Sequence, residues 1–174
     1  MRYLSNETIN LRALEPEDLE LIFEIENDSE LWDFGTANFP YSRFAVKQYL
    51  NNQPQDIYQA GELRMVIIER NSNQPVGIID LLNFSIQNHH AEIAIALKKE
   101  YRHKGYAKHT LTLLEEYARN ILGIHQLYAK VNSNLNPTAA TFFQAQQYKV
   151  VATLPDWHYV NKQYHDITLL AKLI

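Results

Sequence analysis

The chain contains no cysteine. That absence excludes a disulfide framework, a thiolate nucleophile, an iron–sulfur cluster and any zinc site built on Cys. At 174 residues the chain is long enough to bury a core without such staples. Glycine (5) and proline (6) are scarce, which excludes a collagen-like or low-complexity polymer. No apolar run approaches the roughly 20 residues of a membrane helix. Residues 1–10 lack the apolar stretch of a secretory signal. The default expectation is a cytoplasmic protein without a membrane partner. With no repeat or linker-like tract, one domain over 1–174 is expected.

Several catalytic signatures are also missing. There is no Gly-x-x-x-x-Gly-Lys-Ser/Thr, no Gly-x-Gly-x-x-Gly and no Gly-x-Ser-x-Gly. The seven histidines show no zinc-binding spacing, so no metal is expected. Net charge is −4, which disfavours nucleic acid as the main partner. The charge is unevenly spread. Residues 1–60 carry 11 acidic and 4 basic side chains, whereas 61–174 carry 9 and 12. This division fits a molecule that meets a cation at one end and an anion at the other. The competing reading is that the acids cover solvated helix faces.

Local patterns give a mixed α/β order, β-α-α-β-β-β-α-β-α-β-β. Residues 8–14 read as a strand, and Pro16 suits the first position of a helix. Residues 27–41 read as loop with one helical turn, and Ser42 caps a second helix to about Asn52. Strands follow at 63–69, 76–82 and 91–97. In the last of these, Ile93, Ile95 and Leu97 share one face, and Glu92, Ala94 and Ala96 the other. The strongest helix runs over 105–122, with Ala107, Leu111, Leu114, Ala118 and Ile121 at 3–4 spacing. A strand at 126–131, a helix capped by Asn136, and paired strands at 148–154 and 164–173 complete the chain.

Chemistry concentrates between residues 98 and 108, where five basic side chains and one acid lie between a strand and the strongest helix. A helix N-terminus presents unpaired N–H groups and a positive dipole. Gly105 has no side chain to block a close approach, and Ala107 has little. The loop suits a pyrophosphate, with Lys98, Lys99, Lys104 and Lys108 as added charges. The bland alternative is a solvated basic turn.

Arg102-x-x-Gly105-x-Ala107 resembles the Arg/Gln-x-x-Gly-x-Gly/Ala motif of the GNAT N-acetyltransferase superfamily. The runs at 91–95, 100–107 and 122–129 are similar to the branch of ribosomal-protein and spermidine N-acetyltransferases. Asn136, residues 11–18 and the stretch from Asp156-Trp157 to Tyr164-His165-Asp166 match it as well. This resemblance implies a single-domain fold with a mixed, mostly antiparallel twisted sheet flanked by helices. It also implies a splayed strand pair that holds the cofactor. The implied reaction moves an acetyl group from acetyl-CoA to a primary amine by direct attack, without a metal.

By position, the resemblance assigns the pyrophosphate to the backbone of Arg102, His103, Lys104, Gly105, Tyr106 and Ala107. It assigns the pantetheine arm to the backbone of Ile95 and Leu97, with Asn136 nearby. Glu92 is the candidate base, beside small Ala94 and Ala96. Its competing reading is a structural carboxylate satisfied by His89, His90 or backbone amides. The proton donors common in the family are missing, since Phe143 and Ala139 stand at the usual Tyr and Ser positions. Phe143 is then a packing residue beside the pantetheine. Tyr148 reads as a core aromatic with its tip at the surface.

Acids at Glu24, Glu26, Asp28, Glu30 and Asp33 favour a small amine or polyamine as acceptor. The aromatic residues Trp32, Phe34, Phe39 and Tyr41, with Trp157, Tyr159 and Tyr164, are candidates to line its pocket. Gly35-Thr36-Ala37-Asn38 replaces the acidic pairs of the spermidine enzymes. A protein N-terminus is the alternative acceptor, a non-catalytic CoA sensor is the alternative of another class, and homo-oligomer formation is left open.

Overall fold

Residues 4–32, 39–52 and 56–174 are described by the computed structural model. Helices are α1 (Leu19–Glu26), α2 (Ser29–Trp32), α3 (Arg43–Asn51), α4 (Ile57–Ala60), α5 (Tyr106–Asn120) and α6 (Pro137–Ala145). Strands are β1 (Ile9–Ala13), β2 (Leu63–Glu69), β3 (Gln74–Ser85), β4 (His90–Leu97), β5 (Gln126–Val131), β6 (Lys149–Val160) and β7 (Gln163–Leu173). They form one sheet in the order β1-β2-β3-β4-β5-β7-β6. Every neighbouring pair is antiparallel except β4–β5. The fold class is the mixed α/β arrangement that the resemblance implies.

Pro16 opens a short 3-10 turn (Pro16–Asp18), and α1 follows it. Asp18 draws the turn inward, accepting from the Arg12 guanidinium at 2.6 and 2.7 Å and from the Glu15 N–H at 2.8 Å. Ser42 caps α3 as expected, accepting from the Ala45 N–H at 3.1 Å. The final hairpin turns at Asn161 and Lys162, both in the left-handed region, as a two-residue type I′ turn requires. Strand β6 continues well past Leu154. A register shift between Leu154 and His158 absorbs Pro155 and the left-handed Asp156, which an edge strand tolerates.

Alternation along the strands sends apolar side chains to both faces. One face packs Leu111, Leu114 and Ala118 of α5 and Phe143 of α6 on Ile79, Ile93 and Leu127. The other packs Ile22 and Ile25 of α1 and Val46 of α3 on Val66 and Ile78. Both faces of the central strands are therefore covered.

One discontinuity in the sheet creates the cleft. Strands β4 and β5 pair in parallel only at His90↔Gln126, Ala91↔Leu127 and Glu92↔Tyr128. Beyond Glu92, β4 continues along β3 to Leu97, and β5 continues along β7 to Val131. A wedge opens between them, within a cleft of about 2440 Å³. Gly77 lets β3 lie close to β4 here. A Cβ at this position would fall 2.3 Å from the Ala96 carbonyl oxygen.

Candidate active site

The basic loop leaves β4 at Leu97 and makes a 3-10 turn at Lys99–Tyr101. It reaches α5 through His103 and Gly105, both with positive φ. Gly105 is the residue before the first helical turn, at φ 85°, and a Cβ built on it meets nothing within 4 Å. The space over the α5 N-terminus is thus open, and its amides face it without a side-chain cap. Arg102, His103, Gly105, Tyr106 and Ala107 line the cleft. Lys104 is the exception. Its ammonium lies 5.6 Å from the Tyr101 ring centroid, outside the cleft wall.

The charges expected to serve a ligand are largely paired with each other. Lys98 bonds Glu24 and Glu100 at 3.1 and 3.4 Å. Lys99 bonds Glu30, whose carboxyl is held below the usual range chiefly by that contact. Arg102 donates to Asp28 at 2.7 Å, to Glu30 at 3.0 Å and to the Leu97 carbonyl at 3.0 Å. The acids after α1 therefore hold the basic loop and are not a free cation-attracting mouth. Asp33, Phe34 and residues 35–38 lie outside the described residues.

The wedge supplies backbone groups. The Lys98 N–H donates to the Val76 carbonyl, and the register is regular from Gly77↔Leu97 to Leu82↔Glu92. By alternation, residues 92, 94, 96 and 98 bond β3, and beyond the last β4–β5 rung 95 and 97 point N–H and C=O into the wedge. Ile95 and Leu97 thus offer an unpaired strand edge inside the cleft, with the Leu97 carbonyl taken by Arg102.

Glu92 lies at the vertex of the wedge, on the α1–α3 face. Its Oε2 accepts from Asn83 Nδ2 at 2.9 Å and from Lys130 Nζ at 2.8 Å. These partners are not the His89, His90 or backbone amides considered from sequence. Tyr128 adjoins them, and burial, then the Glu92 charge, pushes its hydroxyl up. On the same face Arg64 forms a fork to Asp80 at 2.7 and 2.9 Å and reaches Glu26 at 2.7 Å. Burial pushes the Asp80 carboxyl up, only partly offset by Arg64. Trp32 and Tyr41 line this half, and so do Trp157 and Tyr159. Phe39 and Tyr164 are exposed, packed on Tyr41 and Tyr159.

Helix α6 closes the other side of the cleft. Asn136 caps it by accepting from the Ala139 N–H at 3.0 Å, and it lines the cleft. Phe143 is buried, edge-on to Phe142 and Tyr148. Tyr148 is a core aromatic as expected, but its hydroxyl is inside. It donates to Glu115 at 3.0 Å, and burial, then the Glu115 charge, pushes it far up. It is not a proton donor to the cleft. Among the described residues, no group of three or more His, Asp or Glu side chains is arranged to hold a metal ion. Nor is any helix among them long and apolar enough to cross a membrane.

Lys130, Asn83, Arg64 and Asp80 were not singled out from sequence. Parity along 126–131 was the available signal, because it puts Tyr128 and Lys130 on one face. Which β4 residue they meet depends on a non-local register.

Comparison with known proteins agrees with this geometry. The family model of the acetyltransferase (GNAT) domain matches residues 8–142. A spermidine N(1)-acetyltransferase from Vibrio cholerae is 26% identical over 162 residues, covering 93% of this chain and 91% of the relative. The crystal structure of spermidine N-acetyltransferase from Vibrio cholerae with CoA and spermine superposes with a TM-score of 0.86 at 23% identity. That match covers 97% of this chain and 96% of the other. A dodecameric structure of that enzyme gives a TM-score of 0.79 at 24% identity over 97% and 95% of the two chains.

Proposed function

The chain belongs to the GNAT acetyltransferase family and is an acetyl-CoA-dependent N-acetyltransferase; from that premise we propose that its acceptor is a polyamine. One observation carries the choice. The acceptor half of the cleft holds Glu26, Glu62, Asp80 and Glu92 against Arg64 and Lys130, a formal charge of −2, between aromatic walls. Such a site suits a flexible chain of methylenes carrying several ammonium groups. Similarity over 93% of the chain to a spermidine enzyme supports the small acceptor over a protein N-terminus.

In this reading the α5 N-terminal amides bind the pyrophosphate of acetyl-CoA, and the Ile95 and Leu97 edge pairs with the pantetheine. An N–H of the same edge stabilises the carbonyl oxygen as negative charge builds. Glu92 takes the proton of the attacking amine from the α1–α3 face. Metal and covalent enzyme intermediates have no part, and alignment of amine and thioester supplies much of the rate. One domain over 1–174 does this, in the cytoplasm. Exposed Trp157, Tyr159 and Tyr164 on the β6–β7 hairpin, together with the dodecameric relative, support self-assembly.

The test is a panel of spermidine, spermine, monoamines, aminoglycosides and a peptide N-terminus, followed by thiol release and product mass. A polyamine should exceed a simple monoamine in kcat/KM by about tenfold or more, a transition-state difference near 1.4 kcal/mol. Acetylation of another class, with polyamines inert, overturns the assignment.

A further inference from the structure

The wedge holds a charged group to which the reading above gives no chemical step. Lys130 lies on β5 two residues beyond the last β4–β5 rung, on the face shared by Tyr128 and Glu92. Its ammonium is 2.8 Å from Glu92 Oε2 and 5.9 Å from the Tyr128 ring centroid. Lys130 is about one-third exposed, Glu92 less so, and both line the cleft. The cation is therefore at the mouth of the wedge, where the thioester must lie for an amine on the α1–α3 face to reach it. No Tyr or Ser hydroxyl stands at 143 or 139, and Tyr148 is directed at Glu115.

We propose that Lys130 is the group that receives the departing thiolate of coenzyme A, donating a proton to its sulfur and regaining one from Glu92. This rests on the acyl-transfer reading and on Glu92 as base. The amine arrives as an ammonium and loses one proton to water. Its nitrogen lone pair forms the C–N bond to the acetyl carbon, and the second proton passes to Glu92. The C–S bond breaks, its electron pair goes to sulfur, and Lys130 protonates that sulfur. Glu92 then returns its proton to Lys130 across the 2.8 Å contact. Each turnover converts one ammonium and one acetyl thioester into one amide, one thiol and one free proton.

Among the described residues, the other groups near this pair are the Tyr128 hydroxyl on β5 and the Asn83 amide on β3, with the Arg64–Asp80–Glu26 network further along the face and His158 of β6, 3.3 Å from Asn132, in the same cleft. None is a free cation that could replace Lys130, since Arg64 is committed to two carboxylates. An ammonium beside a sulfur favours the thiolate over the thiol. The decisive measurement therefore needs no acceptor amine. The thiol of bound coenzyme A is titrated by its ultraviolet thiolate absorbance in the wild type, Lys130→Met and Lys130→Arg.

The bound thiol should ionise about one pH unit lower in the wild type than in Lys130→Met. Lys130→Arg should keep the low value, because its charge is permanent. Turnover should fall about 100-fold in Lys130→Met. It should stay low in Lys130→Arg, which holds the thiolate but cannot relay a proton, with the KM for acetyl-CoA unchanged in both variants. In a Glu92→Gln background Lys130→Met should cost much less, because the two act as one unit. An unshifted thiol titration in Lys130→Met, or full turnover in Lys130→Arg, overturns the proposal. Failure of every amine in the panel, with the thiol shift intact, counts against the acceptor assignment and leaves Lys130 standing.

Discussion

At the scale of single residues, position and partner decide role more than residue type does. Tyr148 carries a hydroxyl that sequence alone leaves available, yet its bond to Glu115 directs it away from the cleft. Phe143 has no proton to give and is packed into the core. Glu92 is distinguished by its place at the final rung of β4–β5, between Asn83 and Lys130. Glu92→Gln retains a hydrogen-bond acceptor for both neighbours while losing the base. It should lower kcat about 100-fold with the affinity for acetyl-CoA unchanged, a split that steady-state kinetics and calorimetry read separately. A kcat within a few-fold of wild type across the pH range removes Glu92 from the chemistry.

At the scale of elements, the parts with a repeating pattern were legible and the short ones less so. Strands β2 and β5 run over the residues expected, and α5 follows its apolar stripe. Helix α4 was missed although its signals are present. Asp56 accepts from the Tyr58 N–H at 2.8 Å and Gly61 ends it at φ 69°, but four residues carry no period to read. The expected strand ends at Leu154, whereas β6, as an edge strand, carries Pro155 through a bulge and runs on to Val160. The wedge itself was legible only through family resemblance, since no local pattern tells a strand to lose its neighbour halfway along. Gly77 tests how tightly the β4 arm is set. Gly77→Ala drives a methyl into the Ala96 carbonyl and the Leu97 side chain, at the rung beside the unpaired edge proposed to bind coenzyme A. The Leu97 side chain can turn away, but the Ala96 carbonyl cannot yield without moving backbone, so a loss of about 1–3 kcal/mol is expected. Urea denaturation should record it, together with weaker binding of coenzyme A. An unchanged midpoint shows that the arm is more pliable than the packing implies.

At the scale of the whole molecule, the charge division along the chain is resolved by folding. The acidic first third and the basic loop, expected to serve separate ligands, are joined by Glu24–Lys98, Asp28–Arg102 and Glu30–Lys99 pairs. Composition shows the imbalance but not its partner, because these contacts span about 70 residues of sequence and depend on how α1 lies across the sheet. The pairs also tie the segment bordering the acceptor side to the loop expected to bind pyrophosphate. Two physical arguments then give opposite signs for one experiment. If Asp28 and Glu30 act only as charges near a pyrophosphate, neutralising both in Asp28→Asn/Glu30→Gln relieves repulsion and tightens coenzyme A binding. If they hold Arg102 and hence the backbone after Leu97, the same change loosens the loop and weakens binding. Arg102 bonds two carboxylates and a carbonyl at once, so the second effect should win. The pairs are partly exposed, which keeps the effect modest, about three- to tenfold in Kd. Arg102→Lys should weaken binding in the same direction, since a single ammonium cannot span the three acceptors. Calorimetric titration with coenzyme A at fixed ionic strength gives the sign, and tighter binding by the double variant dismisses the latch.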